Sequence, residues 1–553
     1  MKKSNTLQWV NLRYNKMDMK VRLLLLAIVC LAGLLRFWQL GSLPPSLTWD
    51  EAAWGYNAYA LGIDGRDEFG RFLPMDYLES FGDYKPPVYA YLDVVPVKVL
   101  GLTAFATRFP SAFLGTLSIL ITYFLVKRLF AKSDRKKWYG LTAALLLAIS
   151  PWHIMLSRAA FEANVAMFFI LCGVWLFFVW IQEKKPAYLF LSVFSFILSV
   201  YTFNSARVVA PLFLIILSLV FWKFLWQHKK TVLITCLFGI MLLIPFLHFL
   251  ASPESRLRYN EVNIFSDVSL VKDANQQIAN DHNAWWSKII HNRRFVYTVA
   301  YLQHYFDNLS PSFLFIHGDG NPKFATGDVG ELYIWDLPFL IVGILFLFRK
   351  KIGYWWVLPL WALLAIVPAA VARETPHALR TENALPSWQI IAAVGFVETA
   401  VYIKKYRKAF LSLSFAALFL SVVYFLHGYY AHYSWEFSSE WQYGYKDALS
   451  YARAHQQQYR HIVITHALGR PYIYTLFYNK INPSQFRATS IVHRDAFGFV
   501  TVLQVGKYLF PEKIVTMRNT LFIVTPQEVP SHVHILQTFP LVNGQPSLVA
   551  YTL

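Results

Sequence analysis

The sequence predicts a polytopic all-α membrane bundle of about eleven transmembrane helices, followed by a small extracytoplasmic α/β domain. Three observations carry that expectation. Of the 553 residues, 56% are hydrophobic and only 15% charged, which soluble globular chains do not show. Apolar stretches of roughly twenty residues recur, the length needed to cross a hydrocarbon layer about 30 Å thick. Lys and Arg cluster between alternate stretches, where the positive-inside rule places cytoplasmic connections.

Spans are expected near 21–40, 109–127, 138–150, 162–182, 187–202, 206–226, 231–250, 331–349, 353–371, 385–403 and 409–427. The first run is longer than a signal-peptide apolar region and lacks a small-residue cleavage pattern, so it is expected to remain as a span. Lys2, Lys3, Arg13, Lys16, Lys20 and Arg22 precede it, and further basic clusters fall at 127–137, 183–185, 223–230, 349–351 and 404–408. These place the N-terminus in the cytoplasm and the C-terminal domain outside, in an integral protein of the cell (plasma) membrane. The formal charge of +19 is thus topogenic, and no basic face of the kind that binds nucleic acid is visible.

Residues 1–428 are expected to form the transmembrane domain, with extracytoplasmic loops at 41–108 and 251–330. Residues 429–553 form the second domain, with a polar helical stretch at 451–459 and strand-like runs at 461–465, 521–525, 534–538 and 547–553. Cys30, Cys172 and Cys236 sit in apolar stretches without paired spacing and read as packing residues, not as a disulfide framework or thiolate metal site.

The extracytoplasmic loops hold the candidate chemistry. Thr48 and Glu51 have capping-box spacing, which gives Glu51 a structural job and leaves the adjacent Asp50 freer to act as a base. Helix-dipole pairing is the plain alternative for Asp50. In the run Asp83-Tyr84-Lys85-Pro86-Pro87 the prolines stiffen the chain at the membrane surface. Lys85 there can meet a phosphate or snorkel to lipid headgroups. Arg158 and Glu162 lie one helical turn apart at the outer boundary, able to pair with each other or to serve a site. Arg373, His377 and Arg380 form a basic cluster in an external loop, contrary to the charge trend, as an anion or lipid headgroups would require. The stretch from His317 to Asp328 is rich in turns but lacks calcium-loop spacing. No Ser-His-Asp pattern, phosphate-binding loop, dinucleotide fingerprint or zinc signature has a supporting context.

Taken in order, Trp49-Asp50-Glu51, Asp83-Tyr84-Lys85-Pro86-Pro87, Ser157-Arg158 and the His377 to Arg380 loop resemble the polyprenyl-phosphate-dependent glycosyltransferases, more narrowly glycosyltransferase family 39. That family includes protein O-mannosyltransferases and aminoarabinose transferases. The resemblance implies the C-type glycosyltransferase fold and inverting transfer of a sugar from a polyprenyl-phosphate donor to a hydroxyl or amine of a lipid, glycan or protein acceptor. By carry-over Asp50 is the base, with Glu51 beside it. Lys85, Arg158, His377 and Arg380 hold the donor phosphate, and Asp83, Tyr84 and Glu162 line the substrate site. No metal or other cofactor is expected, because cations on the departing phosphate can replace one. The sequence directly before Lys85 departs from the aminoarabinose-transferase pattern, having Tyr84 where an acidic residue is expected. A lipid-linked sugar transporter and a non-catalytic scaffold are the competing readings. A transporter should carry ionisable groups near mid-membrane, whereas most here fall in external loops.

Overall fold

The computed structural model describes residues 18–255, 263–494 and 500–553. Lys2, Lys3, Arg13 and Lys16, and with them the N-terminus expected in the cytoplasm, lie outside the described residues. So does part of the 251–330 loop.

The first eleven helices are α1 (Met19–Phe37), α2 (Trp49–Asp64), α3 (Val88–Leu100), α4 (Ala104–Leu129), α5 (Lys136–Ile149), α6 (Pro151–Arg158), α7 (Glu162–Glu183), α8 (Pro186–Val200), α9 (Ala206–Val220), α10 (Trp222–Gln227) and α11 (Lys229–Ala251). Further apolar helices follow at Asp336–Lys350, Val357–Ala369, Ser387–Tyr402 and Arg407–His427. Helices thus occupy every stretch expected to span. Four described helices are long and apolar enough to cross a membrane alone, and counting each of two bent pairs as one span raises this to six, so the eleven crossings are not established. The shortfall has a physical cause: several spans are short, and two are broken, α5 against α6 at 55° and Ala378–Ala384 against Ser387–Tyr402 at 56°.

Apolar side chains such as Leu233, Leu237, Ile240 and Ile244 on α11 lie on the outer surface of the bundle, where lipid would cover them. Cys30 and Cys236 are also exposed there, so they do not pack in the core as expected. Inside, helices Asp336–Lys350 and Ser387–Tyr402 cross at glycines: a Cβ on Gly395 would sit 1.9 Å from Phe339 O. Backbones approach this closely only where small residues permit.

The last span does not end at the expected boundary near 428 but continues as helix to Phe437. Beyond it stands a seven-stranded sheet in the order β4-β5-β6-β3-β7-β9-β8: β3 (His461–Ile464), β4 (Ser490–Arg494), β5 (Val500–Val505), β6 (Tyr508–Leu509), β7 (Thr520–Val524), β8 (Ile535–Pro540) and β9 (Pro546–Thr552). Central β3 runs parallel to β6 and β7 and is apolar on both faces, as a strand covered from both sides must be. The expected strands are present, and β4 to β6 are additional. A helix covers Tyr445–His455, starting earlier than the expected 451–459.

One face of the tail's sheet packs within the tail, around Val463, Phe522, Val524, Val549 and Tyr551, and the other face packs against the first loop. Leu47, Ala53, Tyr56 and Phe81 of the first loop share one core with Tyr472, Phe477, Ile462 and Ile523 of the tail. Arg494 grips Glu79 through two bonds of 2.5 and 2.9 Å, and Tyr474 donates its hydroxyl to Leu47 O at 3.0 Å. Gly469, at φ +106°, lets the chain lie against the Trp49 ring, which a Cβ would meet at 2.7 Å. The tail thereby clamps the loop that carries Asp50.

Candidate active site

Thr48 caps α2 and closes the expected box: its hydroxyl accepts from Glu51 N at 3.2 Å, and Glu51 Oε2 accepts from Thr48 N at 3.0 Å. Glu51 is wholly buried and does more than cap. Arg108 Nε donates to Glu51 Oε1 at 2.8 Å and Nη2 to Oε2 at 3.2 Å, and Ala160 N reaches Oε1 at 2.9 Å. With both oxygens engaged, Glu51 has the position of an anchor between α2, α4 and the start of α7, in contrast to the catalytic place expected for it. Asp50, one residue earlier, points elsewhere. Its side chain is 48% exposed and forms an ion pair with Lys85.

Lys85 is presented by a two-residue hairpin, β1 (Leu78–Ser80) and β2 (Asp83–Lys85), turning through Phe81 at φ +58° and Gly82 at φ +77°. Positive φ at both turn residues matches the natural twist of a hairpin. The hydroxyl of Tyr472, from the tail, accepts from Phe81 N at 3.2 Å. The Lys85 ammonium lies 5.1 Å from the Trp54 ring centroid and 4.7 Å from that of Phe81, so two aromatic rings flank the charge that meets Asp50. Alternation along β2 puts Asp83 on the Lys85 face and Tyr84 on the other. Tyr84 packs edge-on against Tyr77 at 5.0 Å, so its expected place beside substrate is corrected.

Glu162, at the N-terminus of α7, lies within electrostatic reach of Asp50, Lys85 and Asp83. Arg207, which the sequence reading did not single out, neighbours Asp83. It sits above Phe246 and Phe249 at 5.1 and 5.2 Å, and its Nη2 has no hydrogen-bond partner among the described residues. The signal for it was available: a lone cation at the outer end of an apolar stretch costs enough to need a reason.

Two expected phosphate ligands have other positions. Arg158 is buried and spends its guanidinium on carbonyls at the end of α1, with bonds to Leu35 O (2.8 Å), Trp38 O (2.7 Å) and Leu43 O (3.0 Å), and to Tyr429 OH (3.2 Å). It braces the bundle, and among the described residues no ion pair joins it to Glu162. His377 is held neutral, pushed down to about 3 by burial and then by the nearby Arg380 charge, so it brings no positive charge to a phosphate. Its Nδ1 stands 3.7 Å from Asp319, whose carboxylate accepts from Ala378 N at 2.6 Å and Asn321 N at 2.8 Å. Burial pushes Asp319 up to about 6. Arg380 lies within reach of both.

The 317–328 loop reaches residues of the sites expected above. Phe324 stacks between Phe161 and His377, and Lys323 lies 5.6 Å from the Trp49 ring. Among the described residues no three His, Cys, Asp or Glu side chains are grouped to hold a metal ion.

Glu68 links loop and tail, accepting from Tyr472 OH at 3.0 Å. Burial pushes it up to about 8. A carboxyl raised above its ordinary 4.5 favours the fold most below that value, and this contribution is lost as pH rises through about 8. The unfolding midpoint of the solubilised protein is therefore expected to fall between about pH 5 and about pH 9, and to fall less in Glu68→Gln. Equal slopes in the two proteins would refute the assignment.

Comparison with known proteins places this geometry. Residues 26–254 match the family model for dolichyl-phosphate-mannose-protein mannosyltransferase. YkcB of Bacillus subtilis (strain 168) is 26% identical over 110 residues, 20% of this chain and 15% of YkcB. An uncharacterised Aquifex aeolicus (strain VF5) protein is 27% identical over 165 residues, 28% of this chain and 32% of its own length. The matched segments therefore span less than a third of either relative. The crystal structure of ArnT from Cupriavidus metallidurans bound to undecaprenyl phosphate superposes with a TM-score of 0.51 at 12% identity, covering 95% of this chain and 97% of ArnT. The resemblance to glycosyltransferase family 39 thus holds: the chain carries the sequence pattern of the dolichyl-phosphate-mannose-protein mannosyltransferases over residues 26–254, on the fold that ArnT has.

Proposed function

We propose that the protein is an inverting glycosyltransferase that moves a sugar from a polyprenyl-phosphate donor to a hydroxyl or amine of a lipid, glycan or protein acceptor outside the cell membrane. The observation that carries this reading is the contact between Asp50, half-open to solvent, and Lys85, nearly closed off, at the outer mouth of an apolar bundle.

The paired charges suit the two ends of one displacement. Asp50 takes the proton of the acceptor as it attacks the anomeric carbon. The bond from that carbon to the phosphate oxygen breaks, and the departing polyprenyl phosphate gains negative charge, which Lys85 and Arg207 neutralise. Lys85 is shared: while it holds Asp50 the carboxylate is a weak base, and a donor phosphate that draws Lys85 away frees it. Asp83 and Glu162 orient Arg207 and the acceptor. Two cations on the leaving group leave no step that calls for a metal ion.

In this reading the N-terminus is cytoplasmic, the chain crosses the membrane eleven times, and the tail lies outside, where the shared core holds it against the 41–108 loop. The ArnT complex, with undecaprenyl phosphate bound on the same fold, supports a lipid phosphate as ligand. The test is transfer of labelled sugar from membrane lipid to any acceptor by the purified protein in an extract of its source cells. Translocation of labelled lipid without transfer would replace the enzyme reading with a transporter.

A further inference from the structure

The two broken spans meet inside the bundle. Gln389 Nε2 reaches Ser150 Oγ at 3.5 Å, and Trp152 Nε1 donates to Ala378 O at 3.1 Å, so the break at Ser150 faces the break at 385–386. The second break dips inward, since Asn383 O accepts from Trp361 Nε1, in helix Val357–Ala369, at 2.6 Å. Breaks free backbone groups, and in apolar surroundings these must find partners. At the first break they do: Arg36 binds Leu147 O and Ala148 O, and Tyr333 OH binds Ile149 O at 2.8 Å.

The second break contrasts with this. Both carboxylate oxygens of Glu382, both amide atoms of Asn383 and Oε1 of Gln389 have no hydrogen-bond partner among the described residues, yet the three residues are at most 2% exposed. Polar groups buried without partners bear their full desolvation cost, which is tolerated where a ligand supplies the missing bonds. Glu382 lies within electrostatic reach of Glu162, which in turn neighbours Asp50 and Lys85.

We propose that Glu382, Asn383 and Gln389 form the pocket for the glycosyl group of the lipid-linked donor. This rests on the transferase reading above. The chemistry selects the occupant: a carboxylate and two amides offer acceptors and donors to several adjacent hydroxyls. A prenyl chain leaves every one of these atoms unmet. A sugar whose phosphate is held at Lys85 and whose hydroxyls enter the break satisfies both ends.

The test measures binding of a short polyprenyl phosphate, bare or bearing mannose, glucose or 4-amino-arabinose, to the full chain in lipid nanodiscs. The unsubstituted protein is expected to prefer one glycosylated lipid over the bare one. Glu382→Gln and, separately, Gln389→Leu should shrink that preference roughly tenfold, the scale of a lost hydrogen bond to a charged or buried group, with bare-lipid affinity unchanged. Retention of the full preference in both variants, or equal loss of affinity for both lipids, would overturn the pocket. Lys85→Ala should weaken both lipids alike. Bare and glycosylated lipid bound equally by the unsubstituted protein would overturn the pocket while leaving the phosphate site, and binding of neither lipid would overturn both readings.

Discussion

Asp50→Asn is expected to reduce sugar transfer by about a hundredfold to ten-thousandfold, the range for loss of a general base. The substitution keeps the side-chain shape and removes the charge of a residue that is half-exposed, so the unfolding midpoint should move little. Lys85→Ala is expected to cost about a hundredfold to a thousandfold, as loss of one preorganised charge at a developing anion does. It also removes a stem lying between Trp54 and Phe81, so some stability goes with it. Because the two side chains touch, the double variant should be little worse than the poorer single one. Initial rates with labelled donor, alongside thermal unfolding of each variant, decide the matter. Full activity in Asp50→Asn would remove the base from the mechanism.

The apolar stretches were legible because lipid imposes a length and a composition on every crossing, and helices stand over all of them. The capping box was legible because its two partners are three residues apart. What the sequence did not disclose depends on partners far along the chain. Glu51 meets Arg108, and Arg158 meets carbonyls at Leu35 and Trp38 more than a hundred positions away. Residue type says that an arginine near hydrocarbon needs acceptors, and it leaves open whether phosphate or backbone supplies them. Tyr84 shows a local signal passed over: once 83–85 is a strand, the period of two separates Tyr84 from Lys85. Of the tail strands that were missed, β6 has only two residues, and β4 and β5 carry exposed Ile491 and Leu503, which blurs the alternation that marks a strand.

Removal of Arg108 is expected to have the largest effect on folding. Besides Glu51, its guanidinium serves Leu40 O at 3.1 Å, Pro44 O at 2.9 Å and Ser46 O at 2.5 Å, so one side chain closes the loop between α1 and α2. Arg108→Ala strands a buried carboxylate and these carbonyls, a loss of about 3–5 kcal/mol for a broken buried pair. Arg108→Lys should recover little, because an ammonium lacks the planar fork that reaches several acceptors at once. Glu51→Gln can keep the cap, since Gln also closes such a box, but leaves Arg108 without a counter-charge. Its unfolding midpoint should therefore drop, while the protein that remains folded keeps a turnover within about tenfold of the original, unlike Asp50→Asn. Thermal unfolding and kcat measured on the same preparations separate the roles. A Glu51→Gln protein of unchanged stability whose kcat fell as far as that of Asp50→Asn would return Glu51 to the chemistry and leave the anchor to Arg108 alone.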